Sequence, residues 1–167
     1  MKNSTNSNMY ARALEGTWEV FGGYLSGASE GLIAVVGTSF LGPQAQDALQ
    51  SSFARLGFGQ AAGTFFTLEG NGGPDWPESN AETPRLSEKE VFAAIEGLDP
   101  LFLVIADAAA AKACASAYRQ EIPLDQRCRV LGREVRAFTD FTAMLSSQSG
   151  KQAAWGLLKT LPKGPGA

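Results

Sequence analysis

The residues with the most chemical promise lie in the segment Gly37-Thr38-Ser39-Phe40-Leu41-Gly42-Pro43. It leaves an apolar run and enters a helical pattern. In open α/β sheets such turns, at the carboxyl ends of strands, are where ligands gather. The helix dipole and free backbone N–H groups there favour anions. Any βα unit also needs a glycine-containing turn for purely structural reasons. Gly37, Thr38, Ser39, Phe40 and Gly42 are therefore candidate ligand-binding residues. Asp107 ends a later apolar run and is a sixth; it either faces the same cleft or, in the commoner role, caps the helix that follows. Asn71, in a polar stretch after another apolar run, is the seventh.

Several chemistries are excluded. The chain has no histidine, so Ser39 has no imidazole to activate it, and no G-x-S-x-G elbow surrounds it. Zinc sites of the usual histidine-rich kind fall with it. There is no G-x-x-x-x-G-K-[ST] phosphate loop, and Gly37 and Gly42 do not have dinucleotide-fingerprint spacing. No paired carboxylates stand out for a magnesium site. No catalytic residue, metal ligand or cofactor is assigned. Cys114 and Cys128 read as reduced thiols in or near a core. Arg129, Arg133 and Arg136 are the basic cluster; a solvated strand edge is the plainer reading, phosphate contact the sharper one. Trp76 is a loop aromatic that either stacks on a base or folds onto the body, whereas Trp155 lies on an apolar helical face and reads as core.

The elements that must position these residues follow from periodicity. With 167 residues, 44% apolar and 19% charged, the chain has the composition of one globular domain. A helical pattern starts at Met9 and places Ala13, Thr17, Phe21 and Tyr24 on one face, until Gly22, Gly23 and Gly27 end it. Leu32-Ile33-Ala34-Val35-Val36, Thr64-Phe65-Phe66-Thr67-Leu68 and Leu101-Phe102-Leu103-Val104-Ile105-Ala106 are continuous apolar runs that suit buried parallel strands. Pro43 opens a helix whose inward face is Ala45, Leu49, Phe53 and Leu56. Ser87-Glu88-Lys89-Glu90 is a capping box for a helix with Val91, Phe92 and Ile95 inward. An alanine-rich helix follows Asp107. Arg129-Val130-Leu131 and Glu134-Val135-Arg136 form one interrupted strand or two short ones around Gly132. Helices are expected near 138–145 and 151–161. The long stretch 69–85 is a polar Gly/Pro-rich loop, of a kind that is usually functional or disordered. Residues 1–8 and 163–167 are expected as tails around a single α/β domain spanning 9–162, with a parallel sheet covered on both faces.

The net charge of -3 and the isoelectric point near 5.0 do not favour tight nucleic-acid binding. No run approaches a membrane span and no signal peptide is apparent, so a cytoplasmic location is expected. A protein partner is compatible with this surface; the oligomeric state is not legible.

The order of these motifs resembles the uracil-DNA glycosylase-like superfamily over residues 31–161. The resemblance implies a three-layer α/β/α sandwich around a four-stranded parallel sheet of order 2-1-3-4. In that superfamily a glycine-led loop after the first strand holds a water-activating residue; here it is Gly37-Thr38-Ser39-Phe40-Leu41-Gly42-Pro43, without an acid or amide. The base-reading asparagine after the second strand has no counterpart in Thr67-Leu68-Glu69, although Asn71 is near. Residues 80–111 follow the family layout through Leu98-Asp99-Pro100 and the third strand. The histidine-containing last motif has no histidine here. Phe141-Thr142-Ala143-Met144-Leu145 and Lys151-Gln152-Ala153-Ala154-Trp155-Gly156-Leu157-Leu158 are also similar to the psi accessory subunit of bacterial DNA polymerase III, which shares the fold without catalysis. The resemblance implies a non-catalytic domain engaged in protein or nucleic-acid-associated interactions. The alternatives are a nucleotide or base binder, or a divergent enzyme, at the Gly37–Pro43 cleft.

Overall fold

The computed structural model describes the backbone of residues 4–30, 32–69 and 85–167. In chain order the first elements are α1 (Ser4–Phe21), a 3-10 turn (Gly22–Tyr24), β1 (Leu25–Gly27), β2 (Ile33–Gly37), α2 (Pro43–Arg55) and β3 (Gly63–Thr67). Then come α3 (Glu88–Leu98), β4 (Phe102–Ile105), α4 (Ala108–Tyr118), β5 (Arg127–Val130), β6 (Arg133–Ala137), α5 (Phe141–Met144) and α6 (Gln148–Leu158).

The three continuous apolar runs form strands buried at every residue, although Leu32 and Leu101, which open two of the runs, lie outside the strands and are exposed. Alternation along each strand splits the core in two. Ala34, Val36, Phe66, Leu103, Ile105 and Val135 face a cluster completed by α1, α3 and α4. Ile33, Val35, Phe65, Phe102 and Val104 face the other, completed by α2, α5 and α6. Helices thus cover both faces of the sheet.

The expectation of a four-stranded, all-parallel sheet is corrected. The sheet has six strands in the order β1-β3-β2-β4-β6-β5. Neighbours β3-β2, β2-β4 and β4-β6 are parallel, while β1 and β5 pair antiparallel with β3 and β6 at the two edges. The physical reason is edge protection: short strands, one of them charged, close rows of backbone donors and acceptors that β3 and β6 would leave open. β1 occupies residues expected to finish the first helix; Gly22 and Gly23 break it, and Leu25 pairs opposite Phe66. The two short strands around Gly132 form a hairpin. Leu131 and Gly132 have φ of 50° and 79°, the positive values that a two-residue turn matched to strand twist requires.

α1 begins at Ser4 rather than Met9, and Met9 is exposed. The inward face of α2 is as expected, with Ala45, Leu49, Phe53 and Leu56 all buried. The capping box of α3 forms: Glu90 N–H donates to Ser87 Oγ and Ser87 N–H to Glu90 Oε1. Phe92, expected inward, is instead 40% exposed and packs its ring on Tyr118, 5.1 Å between centroids. Residues 163–167 fold back onto the end of α2, with Gly164 N–H donating to Leu56 O and Gly166 N–H to Gly57 O. No helix among the described residues is long and apolar enough to cross a membrane.

Candidate functional site

Adjacency of β2 and β4 brings their carboxyl ends side by side, and with them Gly37, Thr38 and Asp107. Thr38 N–H donates to Asp107 Oδ2 at 2.9 Å, and Thr38 Oγ1–H donates to Oδ1 at 2.6 Å. Ala110 N–H donates to Oδ1 at 2.8 Å, so Asp107 also caps α4. The capping reading of Asp107 holds, and the same carboxylate also ties down the turn after β2. Charge-assisted bonds of these lengths are the strong class.

The neighbouring ends are laced to the same point. Asp107 bridges Asp140, Ala108 N–H donates to Thr139 O, and Phe141 N–H donates to Ala106 O. On the other side Leu68 N–H donates to Gly37 O and Glu69 N–H to Thr38 O. Gly37 has little room: a Cβ there would lie 3.1 Å from Ser39 O. Gly42 is the N-cap of α2 and Pro43 follows it at the helix start. Ser39 is exposed, as is Phe40 at 44%. Asn71 and Trp76 lie outside the described residues.

The chemistry open to this arrangement is narrow. Among the described residues Ser39 has no side-chain hydrogen-bond partner and no base beside it, so it is not activated. The thiols are not activated either. Burial, with the nearby Asp107 charge, pushes Cys114 up to about 12. Burial likewise raises Cys128, against the opposing effects of a hydrogen bond with the Arg129 backbone and of the Arg136 charge. Nucleophilic cysteines have lowered values. Among the described residues no group of three or more acidic or thiol side chains converges on a metal position.

The arginine cluster is not a phosphate patch. Arg136 is completely buried. Its Nε donates to Thr160 Oγ1, Nη2 to Thr160 O, and Nη1 to Glu134 Oε2 and Val135 O. It thereby donates to the Thr160 carbonyl, two residues beyond the end of α6. Arg129 Nε pairs with Glu134 Oε1 at 2.8 Å, and Arg133 pairs with Glu96 and Asp99. Burial pulls the Glu134 carboxyl up, but the bonds and charges of Arg136 and Arg129 outweigh it and hold it below its usual range.

Two grooves escape the sequence reading, and none of the six described candidates lines either. One, of about 630 Å³, opens beyond the end of β6 between Asp125, Thr139, Asp140, Met144 and Leu157. The other, of about 310 Å³, lies between α2 and α6 around Arg55 and Trp155. Trp155, expected as core, is only half-buried; Arg55 lies over its ring, 4.4 Å from the centroid. The two residues are far apart in sequence, and no local pattern links them.

No protein-family model matches the chain, and no curated protein matches its sequence.

Proposed function

We propose that this chain is a non-catalytic domain of uracil-DNA glycosylase-like layout that works through protein or nucleic-acid-associated interactions. The observation that carries the reading is the state of Asp107. The carboxylate where the carboxyl ends of β2 and β4 meet accepts three hydrogen bonds from its own fold. Such a group is committed to structure. Its two oxygens hold the Thr38 turn and the α4 cap in place.

Two further features support the reading. The sequence holds no histidine, so the group that the resemblance places after the fourth parallel strand is absent. That position is occupied by Thr139 and Asp140, of which Asp140 caps α5 by accepting from Ala143 N–H. The parallel strands lie in the order β3-β2-β4-β6, inside a six-stranded mixed α/β sheet with helices on both faces.

The test is recovery of the tagged full chain from its native cell under gentle conditions, followed by sizing. A defined heteromeric complex is the expected result. A chain that runs alone, yet turns over a nucleoside, nucleotide or modified base, overturns the proposal.

A further inference from the structure

The groove between α2 and α6 has a consistent chemical character. Its floor is apolar, formed by Phe141, Leu145 and Leu158, with the Trp155 indole as one wall. Its rim carries two cations, Arg55 and Lys151, and among the described residues no carboxylate lines it. Neither cation makes an ion pair among the described residues. The sequence after Asp140 contains no Asp or Glu but does contain Lys151, Lys159 and Lys163. In a chain of net charge -3 this groove is locally positive and suits an anion.

A second feature narrows the ligand. The Arg55 guanidinium lies over the indole at 4.4 Å, so one planar group is already presented against another. Its outer face is available for a further flat ring, because guanidinium and indole surfaces both stack on aromatic systems. The exposed side chains of Gln44 and Ser51 also line the groove and hold no hydrogen bond of their own among the described residues. An amide both donates and accepts, which matches the mixed polar edge of a heterocyclic base. The volume of about 310 Å³ sits at the small end of ligand pockets, roughly 300–1,000 Å³. It has room for one such unit and not for a folded peptide element.

We propose that the α2–α6 groove binds a nucleoside monophosphate unit, with the base stacked on the Arg55–Trp155 pair and the phosphate held by Lys151 and the edge of Arg55. The unit is supplied either as a free nucleotide or as one nucleotide of a single strand. The site shares no residue with the Gly37–Asp107 region, so it stands whether or not that region binds anything.

Calorimetric titration of the full chain with adenosine monophosphate, adenosine, inorganic phosphate and a short oligothymidylate tests it. The expected result is saturable binding of the nucleotide, with a dissociation constant below about 1 mM. Adenosine and phosphate alone bind at least about tenfold more weakly, because each makes only part of the contact. Affinity falls with added salt. An oligothymidylate that binds about tenfold or more tightly than the mononucleotide identifies a strand as the source, and the reverse order identifies the free nucleotide. Arg55→Ala and Lys151→Ala change exposed side chains and leave folding intact; each weakens binding by roughly fivefold or more. Trp155→Ala weakens it further, its folding being checked by circular dichroism. No saturable binding of the nucleotide or the oligomer, or binding that survives both the Arg55 and Lys151 substitutions unchanged, overturns the inference.

Discussion

Replacing Asp107 by alanine removes three hydrogen bonds at one point. Loss of the α4 cap costs about 1 kcal/mol. Each bond from Thr38 to the carboxylate is of the charge-assisted kind, about 1.5–3 kcal/mol in general. Asp107 is half-buried, which places both bonds toward the lower end, and the Thr38 N–H left behind regains some water. The sum is a destabilisation of about 3–5 kcal/mol. At roughly 2–4 °C per kcal/mol for a chain of this size, the melting temperature drops by about 6–20 °C. Urea unfolding followed by circular dichroism measures it, with an unchanged m value confirming that the native fold is retained. Asp107→Asn keeps a good capping residue and loses less. Thr38→Val in both backgrounds completes a double-mutant cycle, for which the shared bond predicts a coupling of about 1–2 kcal/mol. An Asp107→Ala protein within about 0.5 kcal/mol of the parent, the range of an inert surface change, refutes the reasoning. So does a stabilised one, since gains of that kind mark residues held in place for activity.

Three other outcomes follow from the packing. Glu134 is held below its usual 4.5 in the fold, so its contribution is fully present above 4.5 and is lost as pH falls from there through the depressed folded-state value. Glu134→Gln therefore flattens the acid limb of melting temperature against pH and costs about 3 kcal/mol at neutral pH, by stranding the buried Arg136; acid limbs that superimpose contradict this. Gly97 lies where α3 crosses α1, and a Cβ there would run into Thr17 Oγ1 and stand 3.1 Å from Thr17 Cβ. Gly97→Ala is expected to destabilise by about 1–3 kcal/mol, with Thr17→Ala in the same chain restoring part of the loss in thermal denaturation. Ser87→Ala dismantles the capping box and lowers stability by about 1 kcal/mol, readable as faster hydrogen exchange in the first turn of α3.

The parts of the fold that were legible are those written locally. Continuous apolar runs marked β2, β3 and β4, Pro43 marked the start of α2, and Ser87 with Glu90 marked the start of α3. The edge strands were not legible because their signal is non-local. β1 is Leu25-Ser26-Gly27, too short for a period and held by its pairing with β3. β5 is Arg127-Cys128-Arg129-Val130, whose charges suit an edge strand yet read from sequence as solvated surface. Arg129 sits on a solvated strand edge as expected, whereas the burial of Arg136 is non-local in the same way. Glu134 and Arg136 are two apart in a strand and so share a face, a signal that was present and that allows Arg136 to be buried with a partner. The link between Thr38 and Asp107 spans 69 positions. It becomes visible only once β2 and β4 are known to be neighbours. The α2–α6 groove depends likewise on how two helices meet over the sheet, and Arg55 and Trp155 carry no mutual spacing rule.

The most direct measurement is a search for abasic sites after incubating the purified chain with DNA carrying uracil, xanthine or hypoxanthine. The account predicts none above the level of a no-protein control, even with the chain in excess over the modified base, and no difference between the parent and Asp107→Asn. Abasic sites that accumulate beyond one per protein molecule, and that Asp107→Asn abolishes, would contradict it.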